Sequence, residues 1–186
     1  MATGTGSYRP VASSYPTEVD YMKIKIYSLK QFYRVIQAPE FDHEKTVAVI
    51  SSSYPIDEER LRHVLHIACQ YDDIDYEVLG RCFTLIEAKK IVRFLRSCED
   101  KVTTICCVCD GGCRRSSAVA AALYRFYGRE AEELKNVWQN PVYEPNLLVY
   151  RVMASALNVP VDDNDIDLRI WENRSAIRKR IRGCLS

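Results

Sequence analysis

The chain has 186 residues, enough for one domain with a sizeable core, and its 47% hydrophobic and 27% charged shares are those of a globular protein. A net charge of +1 leaves no strong global field of the kind a broad nucleic-acid-binding face needs. No window reaches the ~18 uninterrupted apolar residues of a membrane helix, and the first twenty residues lack the apolar core of a secretory signal.

In chain order, residues 1–20 are small, polar and Pro-containing and read as a flexible lead-in. Met22 to Ser28 alternates apolar and polar residues, the pattern of a strand with one wet face. A short helix is expected from Ser28 to Gln37. Thr46 to Ser51 is a continuous apolar run, as in a strand covered on both faces. Asp57, Glu58 and Glu59 suit the first turn of a helix ending near Arg62. Val64 to Cys69 is a further apolar run, followed by the acidic stretch Tyr71-Asp72-Asp73-Ile74-Asp75.

From Thr84 to Leu95, one helical stripe carries Leu85, Ala88, Ile91, Val92 and Leu95. Thr103 to Val108 reads as another buried strand. Ser116 to Tyr127 is rich in helix formers, and Gly128 stops it. A helix is expected from Ala131 to Trp138, and Pro145 opens the last strong one, through Leu157. Apolar strands alternating with helices predict a three-layer α/β/α domain over residues 21–160, its central, mostly parallel sheet having about four to five strands. Residues 161–186 form an acidic-then-basic tail, with Asp162, Asp163, Asp165 and Asp167 ahead of the basic run 174–182; a solvated last helix is expected there.

Eight cysteines would suggest a disulfide framework in a secreted chain; without a secretory signal they read as thiols, with Cys69, Cys106 and Cys107 as small buried hydrophobes. Cys106 and Cys109 have C-x-x-C spacing, but a structural zinc needs a second ligand pair, and His63 and His66 fit that role poorly, so no metal is expected.

Ligands of parallel α/β sheets bind beyond the carboxyl ends of the strands. Two segments meet that condition: the acidic stretch after Cys69, and Cys109-Asp110-Gly111-Gly112-Cys113-Arg114-Arg115-Ser116. In the second, a buried strand enters and an alanine-rich helix leaves. The first amides of that helix lack internal partners, and the macrodipole adds positive potential. Gly111 and Gly112 allow several amides to converge on one anion, and phosphate is the natural guest. A thiol in that field is favoured as thiolate. Arg115 can hold two phosphate oxygens with its planar fork, and Ser116 can donate a hydrogen bond to the sulfur.

This run resembles the Cys-x5-Arg-Ser/Thr phosphate loop of the protein tyrosine phosphatase superfamily, in particular its compact bacterial and dual-specificity members. The resemblance extends over roughly residues 45–157, through VLHIACQYDDID, EAKKIVRFL, VTTICCVCD, SSAVAAAL and PNLLVYRVM. It implies a phosphatase fold without a cofactor, with Cys109 as nucleophile and Arg115 as phosphate clamp. Ser116 would assist departure of the sulfur, and Asp110, Gly111, Gly112, Cys113 and Arg114 would form the substrate-binding loop. The leaving-group acid is assigned to an upstream aspartate: Asp73 first, with Asp72 and Asp75 as alternatives.

Two positions depart from the resemblance: Val108 stands where the family usually has His, and Arg114 where many relatives have a small hydroxyl residue. The implied substrate is a phosphorylated protein carrying phosphotyrosine, with or without phosphoserine and phosphothreonine, in the cytoplasm and without nucleic-acid or membrane partners; the oligomeric state is open. Two other readings remain: a catalytically impaired phosphopeptide-binding relative, motivated by Val108, and a rhodanese-like sulfur carrier. Cys113 is a candidate thiol for capturing an oxidised Cys109.

Overall fold

The computed structural model describes residues 22–74, 81–127 and 132–161. The expectations for the lead-in, Asp75, Gly128 and the acidic/basic tail fall outside the described residues. Strand β1 (Lys23–Ser28) runs into helix α1 (Leu29–Val35), followed by β2 (Thr46–Ser52), the short α2 (Glu58–Leu61), β3 (Leu65–Gln70) and α3 (Leu85–Cys98). Strand β4 (Thr104–Cys109) leads to α4 (Arg115–Phe126), α5 (Glu133–Gln139) and α6 (Leu147–Leu157). The four strands form one sheet in the order β1-β4-β2-β3, with every pairing parallel.

Alternation along the strands sorts the core into two layers. Val47, Val49, Ile105 and Cys107 face one side, where they pack with Ala88, Ile91 and Leu95 of α3, the alanines of α4, Trp138 of α5 and Met153 of α6. Ala48, Ile50, Cys106 and Val108 face the other, against Phe32 of α1, Leu61 of α2 and Val64. The result is the expected three-layer α/β/α arrangement. Its interior strands, β4 and β2, are almost wholly buried.

Two elements are more open than their composition predicts. β3, apolar in sequence, is an edge strand, and Leu65 is 49% exposed. In α3, the buried stripe is Ala88, Ile91, Val92, Leu95 and Cys98, whereas Leu85 is 41% exposed. Leu85 is the first residue of the helix, and the Thr84–Glu87 capping box that starts α3 directs this turn towards solvent. Pro145 does not itself open α6. Asn146 caps that helix, accepting a bond from the Val149 amide at 3.0 Å.

Candidate active site

The centre of the site lies where β4 ends. β4 is flanked by β1 and β2, so Cys109 sits in register with Ser28 on one side and Ser51 on the other. Between Cys109 and the start of α4 the chain turns tightly, and Gly112 takes φ +74°. A β-carbon there would come within 2.9 Å of the Cα of Ser28 and of the carbonyl carbon of Tyr27. Only glycine combines that backbone conformation with so close an approach of the β1–α1 corner.

Cys109 is buried. Its Sγ accepts from the Gly112 amide at 3.2 Å and lies 3.1 Å from Ser116 Oγ. On the outer side of the loop, the Glu144 amide donates to the Cys113 carbonyl (3.1 Å) and the Asn146 amide to the Arg114 carbonyl (3.2 Å). Ser117 Oγ donates to both carbonyls. In a trans peptide the C=O and N–H point opposite ways, so these bonds turn the amides of Arg114 and Arg115 away from the outer segment. α4 begins at Arg115, so its first amides lack intrahelical acceptors and its positive end lies at the loop.

Arg115 is only 4% exposed. One terminal nitrogen donates to the Tyr71 carbonyl (2.7 Å) and to Ser53 Oγ (3.0 Å), and the other to Asp110 Oδ2 (2.6 Å). The guanidinium also lies 5.7 Å from the centre of the Tyr71 ring. Its Nε is buried and has no partner among the described residues. An orphaned buried donor is costly, and here it belongs to a cation at the end of the 109–115 loop.

Asp110 was expected as part of the substrate-binding loop, and its side chain is bonded within the cluster. The carboxylate accepts from Ser52 Oγ (2.7 Å), the Ser53 amide (3.0 Å) and Arg115. Burial works to raise its pKa, but the bonds from the Ser53 amide, Ser52 and Arg115, together with the Arg115 charge, outweigh it and hold the group below its ordinary value. The acidic stretch after β3 meets the loop at two places. Tyr71, whose hydroxyl donates to Ser51 Oγ at 2.7 Å, supplies the carbonyl for Arg115. Asp73 Oδ1 accepts from Asn146 Nδ2 (2.8 Å), and the Asp73 carboxylate pairs with Arg114 Nε at 3.2 Å. Asp72 lies nearer solvent, 3.7 Å from Arg81.

Cys109, Gly112, Arg115, Ser116 and Asp110 therefore form one cluster, with Asp73 joined to it through Arg114 and Asn146. Ser52, Ser53, Tyr71 and Asn146 were not anticipated as site residues. Asn146 alone had a signal, the Pro-Asn pair ahead of α6. Val108 is fully buried among Phe32, Ile50 and Leu61, an apolar setting that offers no polar role at that position. Burial pushes the Cys69 thiol up to about 11 and that of Cys106 to about 12, and it also raises Cys98, Cys107 and Cys113. These groups are poor nucleophiles at neutral pH. Cys106 faces the α1 layer three residues before Cys109, and no group of three or more His, Cys, Asp or Glu residues is placed to hold a metal among the described residues.

This architecture, a four-stranded all-parallel sheet with a cysteine-bearing loop between an interior strand and an alanine-rich helix, is an α/β phosphatase-like fold. Among solved structures the chain is similar to PTPMT1 in complex with PI(5)P, with a TM-score of 0.51, 13% identity and coverage of 82% of this chain and 97% of that one. It also matches the Yvh1 phosphatase domain from Chaetomium thermophilum, with a TM-score of 0.39, 19% identity and coverage of 64% and 93%. No protein-family model matches the sequence, and neither does any curated protein.

Proposed function

We propose that the chain is a cysteine-dependent phosphatase that hydrolyses phosphate monoesters, with phosphotyrosine in proteins as its principal substrate and phosphoserine and phosphothreonine as a dual-specificity extension. The observation that carries this reading is the buried arginine at the loop: Arg115 Nε is an unmet donor, and the sulfur of Cys109 is held by the Gly112 amide and Ser116 at the same loop. An oxyanion supplies what those groups lack.

In the reaction, Cys109 Sγ attacks phosphorus as the ester P–O bond breaks. The loop amides and Arg115 stabilise the equatorial oxygens. Asp73 gives a proton to the departing oxygen and afterwards takes one from the water that attacks the phosphocysteine. The S–P bond then breaks, phosphate leaves, and Ser116 hydrogen-bonds the released thiolate. To reach the leaving group, Asp73 must give up Asn146 and Arg114; Asp72 and Asp75 are the alternative acids.

The test is hydrolysis of an aryl phosphate by the full chain. Wild type is expected to turn over and Cys109→Ser to lose all activity. A phosphotyrosine peptide assayed beside an inositol phosphate addresses the substrate class, since PI(5)P is bound by PTPMT1; faster hydrolysis of the inositol phosphate would displace the protein-substrate reading. A second reading, a phosphopeptide-binding module without turnover, is favoured by one observation, the 2.6 Å pair that engages Arg115 with Asp110. Tight phosphopeptide binding by an inert wild type would establish it.

A further inference from the structure

Beside the loop lies a groove of about 540 Å³ whose lining includes Lys30, Tyr33, Arg34, Tyr54, Arg60 and Asp110. Asp110 belongs to both places, bonding Arg115 at the loop and lining the groove. The groove also starts at the loop, because α1 follows Ser28, the residue against which Gly112 is packed.

The charge of the groove is not balanced internally. Arg60 is paired with Asp57 at 3.0 Å and lies over the Tyr33 ring, 5.2 Å from its centre. Lys30 and Arg34 are exposed, and neither is in an ion pair among the described residues. They lie four residues apart on α1 and so project from the same face. Tyr33 and Tyr54, the latter 72% exposed, add ring surface to the groove.

Resting on the phosphatase reading above, we propose that this groove binds the residues flanking the phosphorylated residue of a protein substrate, and that it selects acidic ones through Lys30 and Arg34. Length supports a peptide. From Lys30 to Arg34 along α1, a helical rise of about 1.5 Å per residue gives roughly 6 Å, matching about two residues of extended chain at ~3.3 Å each. Charge placement supports acidic flanks. A second phosphate on a small ring would stay close to the first and meet the Asp110 carboxylate. Carboxylates two or three residues along a peptide pass Asp110 and reach the cations of α1. Like charges at the mouth and opposite charges further along thus discriminate by distance from the phosphate.

The test reads binding, so that it is independent of turnover. Full-length Cys109→Ser protein is titrated with a labelled phosphotyrosine peptide flanked by Glu, and with matched peptides flanked by Gln or Lys. The Glu peptide is expected to bind about tenfold more tightly than the Gln peptide at low salt, with the preference fading as salt is raised. Adding Lys30→Glu and Arg34→Glu should abolish that preference and tighten binding of the Lys peptide, a gain that misfolding cannot produce. Equal affinity for Glu and Gln peptides, or a preference that survives charge reversal, would overturn the proposal. So would a soluble inositol phosphate that loses as much affinity on charge reversal as the Glu peptide. Preference retained by a wild type without turnover would sink the phosphatase reading alone; turnover without preference would sink the groove alone.

Discussion

Arg114 and Arg115 are adjacent in the chain at the start of the same helix, and their surroundings differ sharply. Arg115 is sealed in, its terminal nitrogens bonded to Asp110, Ser53 and the Tyr71 carbonyl. Arg114 lies nearer solvent and pairs with Asp73 and, at 3.5 Å, with Glu144. The first set of contacts ties β4 to the ends of β2 and β3. The second ties the loop to the acidic stretch after β3 and to the approach to α6. A cation as buried as Arg115 is fixed by the need to leave no charge uncompensated, whereas the partly exposed Arg114 can exchange a partner for water at lower cost. On the proposed mechanism, the division would keep the anion seat rigid while Asp73 exchanges partners.

The largest test of this contrast is Arg115→Lys. A lysine keeps the charge but loses the fork, and kcat/KM for an aryl phosphate should fall by about 10³-fold. A loss below about tenfold would mean that charge alone suffices. Next is Asp73→Asn, expected to lower kcat about 10²-fold on a phosphotyrosine peptide and much less on an aryl ester with an activated leaving group. Equal losses on both would leave Asp73 as a positioning residue and pass the acid role to Asp72 or Asp75.

Asp110→Asn should cost about 1–2 kcal/mol of stability at pH 7, measured by urea unfolding, because it leaves Arg115 without its counter-ion. The pH dependence has a defined sign. The Asp110 pKa is lowered from 3.8 in the folded state, so its contribution is present above about 3.8 and is lost as pH falls through the folded value. The gap between wild type and variant should therefore close in acid. The smallest effect belongs to Arg114→Ala: under about 1 kcal/mol, read as a slight fall in the same unfolding midpoint. A loss as large as that of Asp110→Asn would erase the distinction between the two arginines.

Much of this organisation is legible in sequence because it is local. The run 46–51 is apolar throughout and lies inside the sheet; the 109–116 loop carries its glycines, Arg115 and Ser116 within eight residues, between a strand and a helix. What escapes is long-range or depends on neighbours. The Asp110 carboxylate bonds serines 57 and 58 positions away, and no spacing rule signals that pairing. Tyr71 contributes a carbonyl, which every residue has. The Val64–Cys69 run is hydrophobic enough for an interior strand, yet its place at the sheet edge depends on the order of the strands. Asn146 combines a cap with a bond to Asp73, and only the cap leaves a trace in the local pattern.

The contact between Gly112 and Ser28 makes the first corner of the chain a listening post for the loop. Ser28 N–H is already committed to the Gln31 side chain at 2.9 Å, so its magnetic environment is well defined. An oxyanion that shifts the peptide of Gly112 must press on that amide. In an isotope-labelled sample its resonance would move as inorganic phosphate is added, recording occupancy without any chemical turnover.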